Sequence, residues 1–210
     1  VKKNLIGICF TNAPPAIAPY GAKKRLFGTN PICFGSPTSN GIPFIFDSSM
    51  SLINRGKIRN AIKNKNKIPY GVALDKKGNI TTNPKKALEG VQLPIGDFRG
   101  SGLAWFVDIL SGVFTGSAHS GKVKDPFDDF SGPQNVGHLF IAIKPNLYVK
   151  NFSRRLDESI KIVKRLPRLN KSREILYPGQ NKFKRYRENL NKKILLSKKV
   201  NRELKELLNE

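Results

Sequence analysis

The sequence predicts an α/β protein: a sheet-bearing domain followed by a helical segment. Three observations carry this. Short apolar runs at 5–10, 32–35, 44–46 and 139–143 have strand length and are bounded by Gly, Pro, Asn and Ser. A longer apolar stretch at 103–114 has helix length. From residue 151 apolar side chains return every three or four positions (Phe152, Leu156, Ile160, Val163, Leu166), with Arg154, Arg155, Asp157, Glu158, Lys161 and Lys164 on the other face. The division falls near 150: residues 1–150 form the α/β domain and residues 151–210 the helical segment.

Residues 5–10 read as a buried strand. Residues 11–20 are a loop, because Pro14, Pro15 and Pro19 fix φ and remove donors. A turn at 28–31 leads into the strand 32–35, and turn chemistry at 37–41 leads into 44–46. That strand ends at Asp47, Ser48 and Ser49. Three small polar groups there suit contact with a ribose or an amide; they equally suit capping of the next helix, with Ser49 or Ser51 at the N-cap. A helix is expected over 51–64, interrupted by Gly56, then a hairpin around Lys77 and Gly78, then a short helix over 83–90 with Pro84 in its first turn.

The stretch 93–116 organises the chain. Gly96, Gly100 and Gly102 form a turn carrying one arginine, Arg99, and open straight into the apolar helix. Leu103, Phe106, Val107, Leu110, Val113 and Phe114 recur at the helical period. Ala104, Trp105 and Ile109 fill the other face, so this helix is expected to be buried nearly all round, with Asp108 its only charge. Ser101 is placed to accept from the first-turn amides. Those amides, the helix dipole and the guanidinium make an anion cradle. The same glycines equally suit a plain tight turn.

Residues 116–132 form a polar loop carrying Asp125, Asp128 and Asp129. Asp128 and Asp129 are adjacent and point apart, which argues against a paired acid and base. His119 in the loop and His138 at the start of the strand 139–143 read as surface or hydrogen-bonded residues. Pro167 ends the first C-terminal helix, 177–181 is a turn, and a second basic helix follows over 183–193. Ser197 caps a last helix with Val200, Leu204, Leu207 and Leu208 inward.

Thirty-eight Lys and Arg against 15 Asp and Glu give a formal charge of +23, which raises nucleic acid or an anionic membrane as a partner. The cations are dispersed, densest after Lys144, and travel with asparagines (Asn60, Asn64, Asn66, Asn189, Asn191), which reads as solvated surface with a Lys/Asn bias. A nucleic-acid face would use Arg154, Arg155, Lys161, Lys164, Arg165, Arg168, Lys184, Arg185 and Arg187. Its stacking aromatics are sparse, with only Phe183 and Tyr186 nearby. Cys9 and Cys33 lie in apolar runs and are expected as buried free thiols of a reducing compartment. No Cys/His metal spacing, membrane-length apolar run or leader pattern is present, so a cytoplasmic protein without membrane or metal is expected. The chain opens at Val1 on a strand-like run, as the interior of a longer protein would.

Taken in order, N-A-P-P-A-I-A-P-Y-G-A, L-F-G-T-N-P-I-C-F-G, F-I-F-D-S-S, I-P-Y-G-V-A-L-D-K-K-G-N-I-T-T-N-P, L-P-I-G-D-F-R-G-S-G-L, D-I-L-S-G-V-F-T-G and Y-P-G-Q resemble the malate/L-lactate dehydrogenase family outside the Rossmann class. The resemblance covers essentially the whole chain. It implies a non-Rossmann, mixed-sheet nicotinamide-binding fold, NAD or NADP as cofactor, hydride transfer at C2 of a small 2-hydroxy or 2-imino acid, and a homodimer. It places Asp47, Ser48 and Ser49 on the family's F-D-x-A segment against the cofactor. Arg99 falls on the cofactor-binding lysine of its G-x-K-G turn. Gly179, Gln180 and Asn181 fall on its P-G-[EQ]-x segment. Ala13 stands where some members carry a serine, and Asp97 where relatives carry a neutral residue. The family's catalytic histidine lies upstream of the first strand, so no catalytic residue is expected within 1–210, and residues 151–210 are expected to pack on that upstream region. A basic nucleic-acid-binding protein on a dehydrogenase-derived scaffold is the alternative, and a degenerate remnant needing another chain to fold is a third reading.

Overall fold

The structure, a computed structural model, describes residues 1, 3–192, 196 and 198–208. Its main sheet contains β1 (Ile6–Thr11), β2 (Ile32–Ser36), β3 (Phe44–Ser48) and β6 (His138–Ile143), in the order β3-β2-β1-β6. Two short strands, β4 (Ala73–Leu74) and β5 (Val91–Gln92), pair separately. All of these ladders are antiparallel. The expected mixed sheet is therefore corrected for this chain. Among the described residues, parallel pairing is confined to the isolated bridge between Ile17 and Gln92. The reason is the connections: parallel neighbours need a crossover of a dozen or more residues, usually a helix. Here β1–β2 and β2–β3 are joined by loops, and the helix-bearing excursion from β3 returns as β6 antiparallel to β1.

Helix α1 (Arg55–Lys63) is shorter than the expected 51–64. Its cap is Asn54, whose Oδ1 accepts from Lys57 N at 2.8 Å. Ser49 and Ser51 are not caps; their hydroxyls donate to the carbonyls of Ser51 and Ile53. The hairpin forms as expected, with Asp75 Oδ1 accepting from the amides of Lys77 and Asn79 and Gly78 at φ +89°. Helix α2 (Pro84–Glu89) starts on Pro84 with Asn83 as cap. Ile53, Ile58, Ile68, Ala73 and Ala87 form the small core beneath α1 and α2, while Ala16, Ile17, Phe27, Met50 and Ala104 form the central one.

The apolar helix α3 (Phe98–Asp108) runs into a π-helical turn at Ile109–Val113. It is not buried all round. Ala104, Val107, Asp108 and Ser111 are buried, but Trp105 is 56% and Phe114 72% exposed, and Leu103, Phe106, Ile109 and Val113 are exposed as well. Among the described residues only one side of α3 is packed, and the remaining apolar surface has nothing over it. The one acidic residue of α3 sits on the packed side, where Asp108 Oδ2 accepts from Ser120 N at 2.7 Å. The π turn is clamped by glycines. A Cβ on Gly137 would stand 1.5 Å from the Ser111 carbonyl oxygen.

The entry to α3 also departs from expectation. Ser101 lies inside the helix and is no cap; its Oγ accepts from Tyr20 N at 2.9 Å. The capping position is Asp97, at φ +51° and ψ −114°, and its side chain makes no capping hydrogen bond. A non-glycine residue held there stores strain of order 1–3 kcal/mol.

Helix α4 (Phe152–Arg165) buries Asp157 and Ile160, whereas Val163 and Leu166 are exposed. Asp157, expected on the polar face, is buried because its Oδ2 accepts from Ser39 N and Ser39 Oγ across the sequence. Helix α5 (Gln180–Asn189) begins earlier than expected, so Gln180 and Asn181 are helical. Helix α6 (Lys198–Leu208) leaves Leu204, Leu207 and Leu208 exposed, against the expected inward face. Ser197 and Lys193, assigned from sequence to a cap and a helix end, lie outside the described residues. Among the described residues no helix is long and apolar enough to cross a membrane.

Two outcomes follow for equilibrium unfolding. Gly137→Ala is expected to lose about 3 kcal/mol or more, the upper range of overpacking, while Gly7→Ala, whose Cβ meets nothing within 4 Å, stays near wild type. Asp97→Gly is expected to gain about 1 kcal/mol by releasing backbone strain, read as a rise in melting temperature.

Candidate functional site

The strand β3 is the ruler of the site. At its start, Ile45 N donates to the Pro178 carbonyl at 3.0 Å. Just past its end, the Met50 carbonyl accepts from Ile95 N at 3.0 Å. The segment before α5 and the segment before α3 are thus tied to the two ends of one five-residue strand, about 16 Å of chain at 3.3 Å per residue.

Gly179 has φ +91°, and a Cβ there would come within 2.9 Å of Ile45 N and 3.1 Å of the Pro43 carbonyl. Only glycine lets the start of α5 lie this close to β3. The contact brings Lys182 to the site: its Nζ is 3.9 Å from Asp47 Oδ2, with both side chains largely exposed. Gln180 Oε1 faces Lys164 Nζ at 3.5 Å. Gln180 and Asn181 line a cavity of about 540 Å³ with Arg173, Phe183, Lys184 and Arg187. At the other end, the Ser48 and Ser49 hydroxyls are half-buried and donate to the carbonyls of Ser49 and Ser51.

Arg99 sits in the first turn of α3 rather than in a preceding loop. It is exposed, and its guanidinium lies over the Phe98 ring at 5.3 Å from the centroid. No ion pair or hydrogen bond holds the guanidinium among the described residues. Asp47, Ser48 and Ser49 are brought beside the glycine turn by the backbone, and Gly179 and Gln180 beside β3. Arg99 and Gly179 are placed at opposite ends of that strand and do not touch.

Cys9 and Cys33 are free but half-buried rather than buried. Burial, Asp47 and Cys9 push the Cys33 thiol up, and Lys182 opposes them. His119 Nδ1 meets Ser120 Oγ at 3.1 Å, and exposed His138 stacks on Phe140. Among the described residues no carboxylate orients either ring, so neither is poised as a base. The acidic loop has a structural task that its sequence did not reveal. Asp125 sits 2.7 Å from Arg55 and 3.4 Å from Arg59, pinning the loop to α1, and Phe127 lies under Arg59. Burial lowers the Arg55 guanidinium from its ordinary value, and the Asp125 charge opposes that shift. No cluster of three or more His, Cys, Asp or Glu suited to a metal occurs among the described residues.

A profile of the malate/L-lactate dehydrogenase family matches residues 1–205. The malate/(S)-sulfolactate dehydrogenase of Methanothermus fervidus is 36% identical over 212 residues, covering 100% of this chain and 60% of the relative. The L-sulfolactate dehydrogenase of Methanocaldococcus jannaschii is 39% identical over 220 residues, with the same 100% and 60% coverage. In structure, a dehydrogenase from Sinorhizobium meliloti superposes with a TM-score of 0.89 at 29% identity, covering 98% of this chain and 60% of its own. The chain therefore spans about 60% of the length of the relatives it matches. With a family profile over nearly its full length and this agreement of sequence and fold, the chain belongs to the malate/L-lactate dehydrogenase family.

Proposed function

We propose that this chain is the cofactor-binding and C-terminal part of an NAD(P)-dependent dehydrogenase of small 2-hydroxy acids, of the malate, lactate, sulfolactate or ureidoglycolate class, on a non-Rossmann scaffold. The residues that hold the dinucleotide are Asp47, Ser48, Ser49, Arg99, Gly179, Gln180 and Asn181. The observation that carries this is Arg99: an unpaired guanidinium at the start of a helix whose first turn has no side-chain cap. A helix start without a side-chain cap, with an unengaged guanidinium beside it, is suited to a diphosphate. The spread of the site along β3 suits an extended dinucleotide better than a compact anion.

The donor set fits such a ligand in parts. Arg99 offsets diphosphate charge. Asp47 accepts from ribose hydroxyls at the exposed end of β3, and Ser48 and Ser49 offer acceptor lone pairs beside it. Gly179 keeps α5 close enough for Gln180 and Asn181 to reach the same ligand. A bound nicotinamide supplies the hydride acceptor. Proton removal from the substrate hydroxyl needs a positioned base. His119 and His138 do not supply it, so the base comes from the part of the enzyme beyond these residues. The exposed apolar faces of α3, α4 and α6 are covered by that part or by the second subunit of a homodimer. The nucleic-acid alternative gains nothing from the fold, since Phe183 is already packed against Tyr186 and Arg187.

Titration of NADH and NADPH by fluorescence, on the full-length enzyme, tests this reading. Arg99→Ala is expected to weaken the preferred cofactor about tenfold, the equivalent of one charge-assisted contact. Arg99→Lys, which keeps the charge, stays close to wild type. Unchanged affinity in Arg99→Ala refutes the assignment. Residues 1–210 alone are expected to show no NAD(P)-linked oxidation of malate, lactate or ureidoglycolate; turnover near that of an intact enzyme would place the base within them.

A further inference from the structure

The register of the main sheet sets Cys9 of β1 directly opposite Cys33 of β2. Directly opposed residues project to the same face of an antiparallel pair. The two also exchange backbone hydrogen bonds. Ile45 spends its N–H on Pro178, away from β2. Backbone groups alternate along a strand, so Asp47 turns away too, and its opposite number Cys33 directs its amide and carbonyl to β1. Pairs of this kind hold their Cα atoms about 5.5 Å apart, within the span that a disulfide bridges.

The surroundings leave room for chemistry. The adjacent pair on the same face is Gly7 and Gly35. Among the described residues a Cβ on Gly7 would meet nothing within 4 Å, and one on Gly35 would meet a methyl of Val1 alone. Phe140, opposite Cys9 on β6, is itself largely exposed. A small solute can therefore approach the pair from this side.

We propose that Cys9 and Cys33 form a reversible dithiol–disulfide pair, closed by a peroxide and opened by a thiol reductant. The thiolate of one cysteine attacks a peroxide oxygen, the O–O bond breaks, and a sulfenic acid and one water result. The thiolate of the other attacks the sulfenic sulfur; the S–S bond forms and the hydroxyl leaves as a second water. Two thiols lose two electrons in total, and one hydrogen peroxide gains them. Exchange with a reducing thiol reverses the step. In a bonded cross-strand pair the Cβ atoms stand about 5 Å apart, whereas a disulfide holds them at roughly 3.8 Å. Closing the bond draws β1 and β2 together and leaves it readily reduced. Cys33 stands opposite Asp47 of β3 and feels the charge of Lys182 on α5, and its raised thiol makes closure faster as pH rises.

Trypsin provides a direct readout. Lys23, Lys24 and Arg25 lie between the cysteines, so peptides 4–23 and 26–55 stay joined only through a disulfide. The native reduced protein, treated with hydrogen peroxide and digested without reductant, is expected to yield the joined peptide with loss of both thiols together. Dithiothreitol restores both. The same treatment of the guanidinium-unfolded chain gives about tenfold less, because the fold sets the effective concentration. Three results overturn the proposal: sulfinic acid on either cysteine without the joined peptide, disulfides between two copies, or equal yield from folded and unfolded chain.

Discussion

A buried amide side chain must satisfy both its ends, and Asn30 does so by joining the loop at Ala13 to Ala104 of α3, 74 residues beyond Asn30 itself. Its Oδ1 accepts from Ala13 N at 3.0 Å and its Nδ2 donates to the Ala104 carbonyl at 2.7 Å. The side chain is fully buried, at φ +36°. Asn12 repeats the device one layer away, accepting from Gly137 N and donating to the Ala118 carbonyl. Between them the two amides fasten the proline-rich loop to the flank of α3 and to the entry of β6. The bond to Ala104 holds the middle of α3, the helix whose first turn carries Arg99.

From that anchor the site can be followed outward. Met50 enters the central core next to Ala104, and its backbone holds Ile95. The glycine turn is thereby registered to the end of β3. The other end of β3 is registered to α5 through Pro178 and the glycine that follows it. Helix α4 is joined to the same hairpin by Asp157, and Tyr177 OH donates to the Ile42 carbonyl at 3.2 Å. Cations from two helices, Arg99 and Lys182, so flank a strand whose last residues are acidic and hydroxylic. That is charge and hydrogen-bonding capacity arranged along a line, with little apolar enclosure of its own.

Local chemistry was well legible in the sequence. The four strands of the main sheet, the helix start at Pro84, the hairpin around Lys77 and Gly78 and the ordered family motifs all read through, because each rests on neighbouring residues, whereas the two-residue strands β4 and β5 carried no local signal. Errors arose where distant partners decide. Asp157 looked solvated by helical period, yet Ser39, 118 positions away, takes it inward. Ser101 looked like a cap, but two consecutive left-handed residues, Gly96 and Asp97, start the helix sooner and leave the serine to Tyr20. The apolar pattern of α3 announced burial without naming what would cover it. Within the site, Gly179 was legible as a motif glycine, whereas Lys182 carried no signal, since nothing in its local sequence says that α5 will lie along β3.

The uncovered stripe on α3 sits on a molecule of formal charge +23. These two properties oppose each other in solution. Like-charge repulsion between copies keeps the aromatic surfaces apart at low ionic strength, and salt shortens its reach to about 8 Å near 0.15 M. Colloidal behaviour of this polypeptide is accordingly governed by the ionic medium: dilute buffer disperses it, and added electrolyte lets Trp105 and Phe114 find other greasy surfaces.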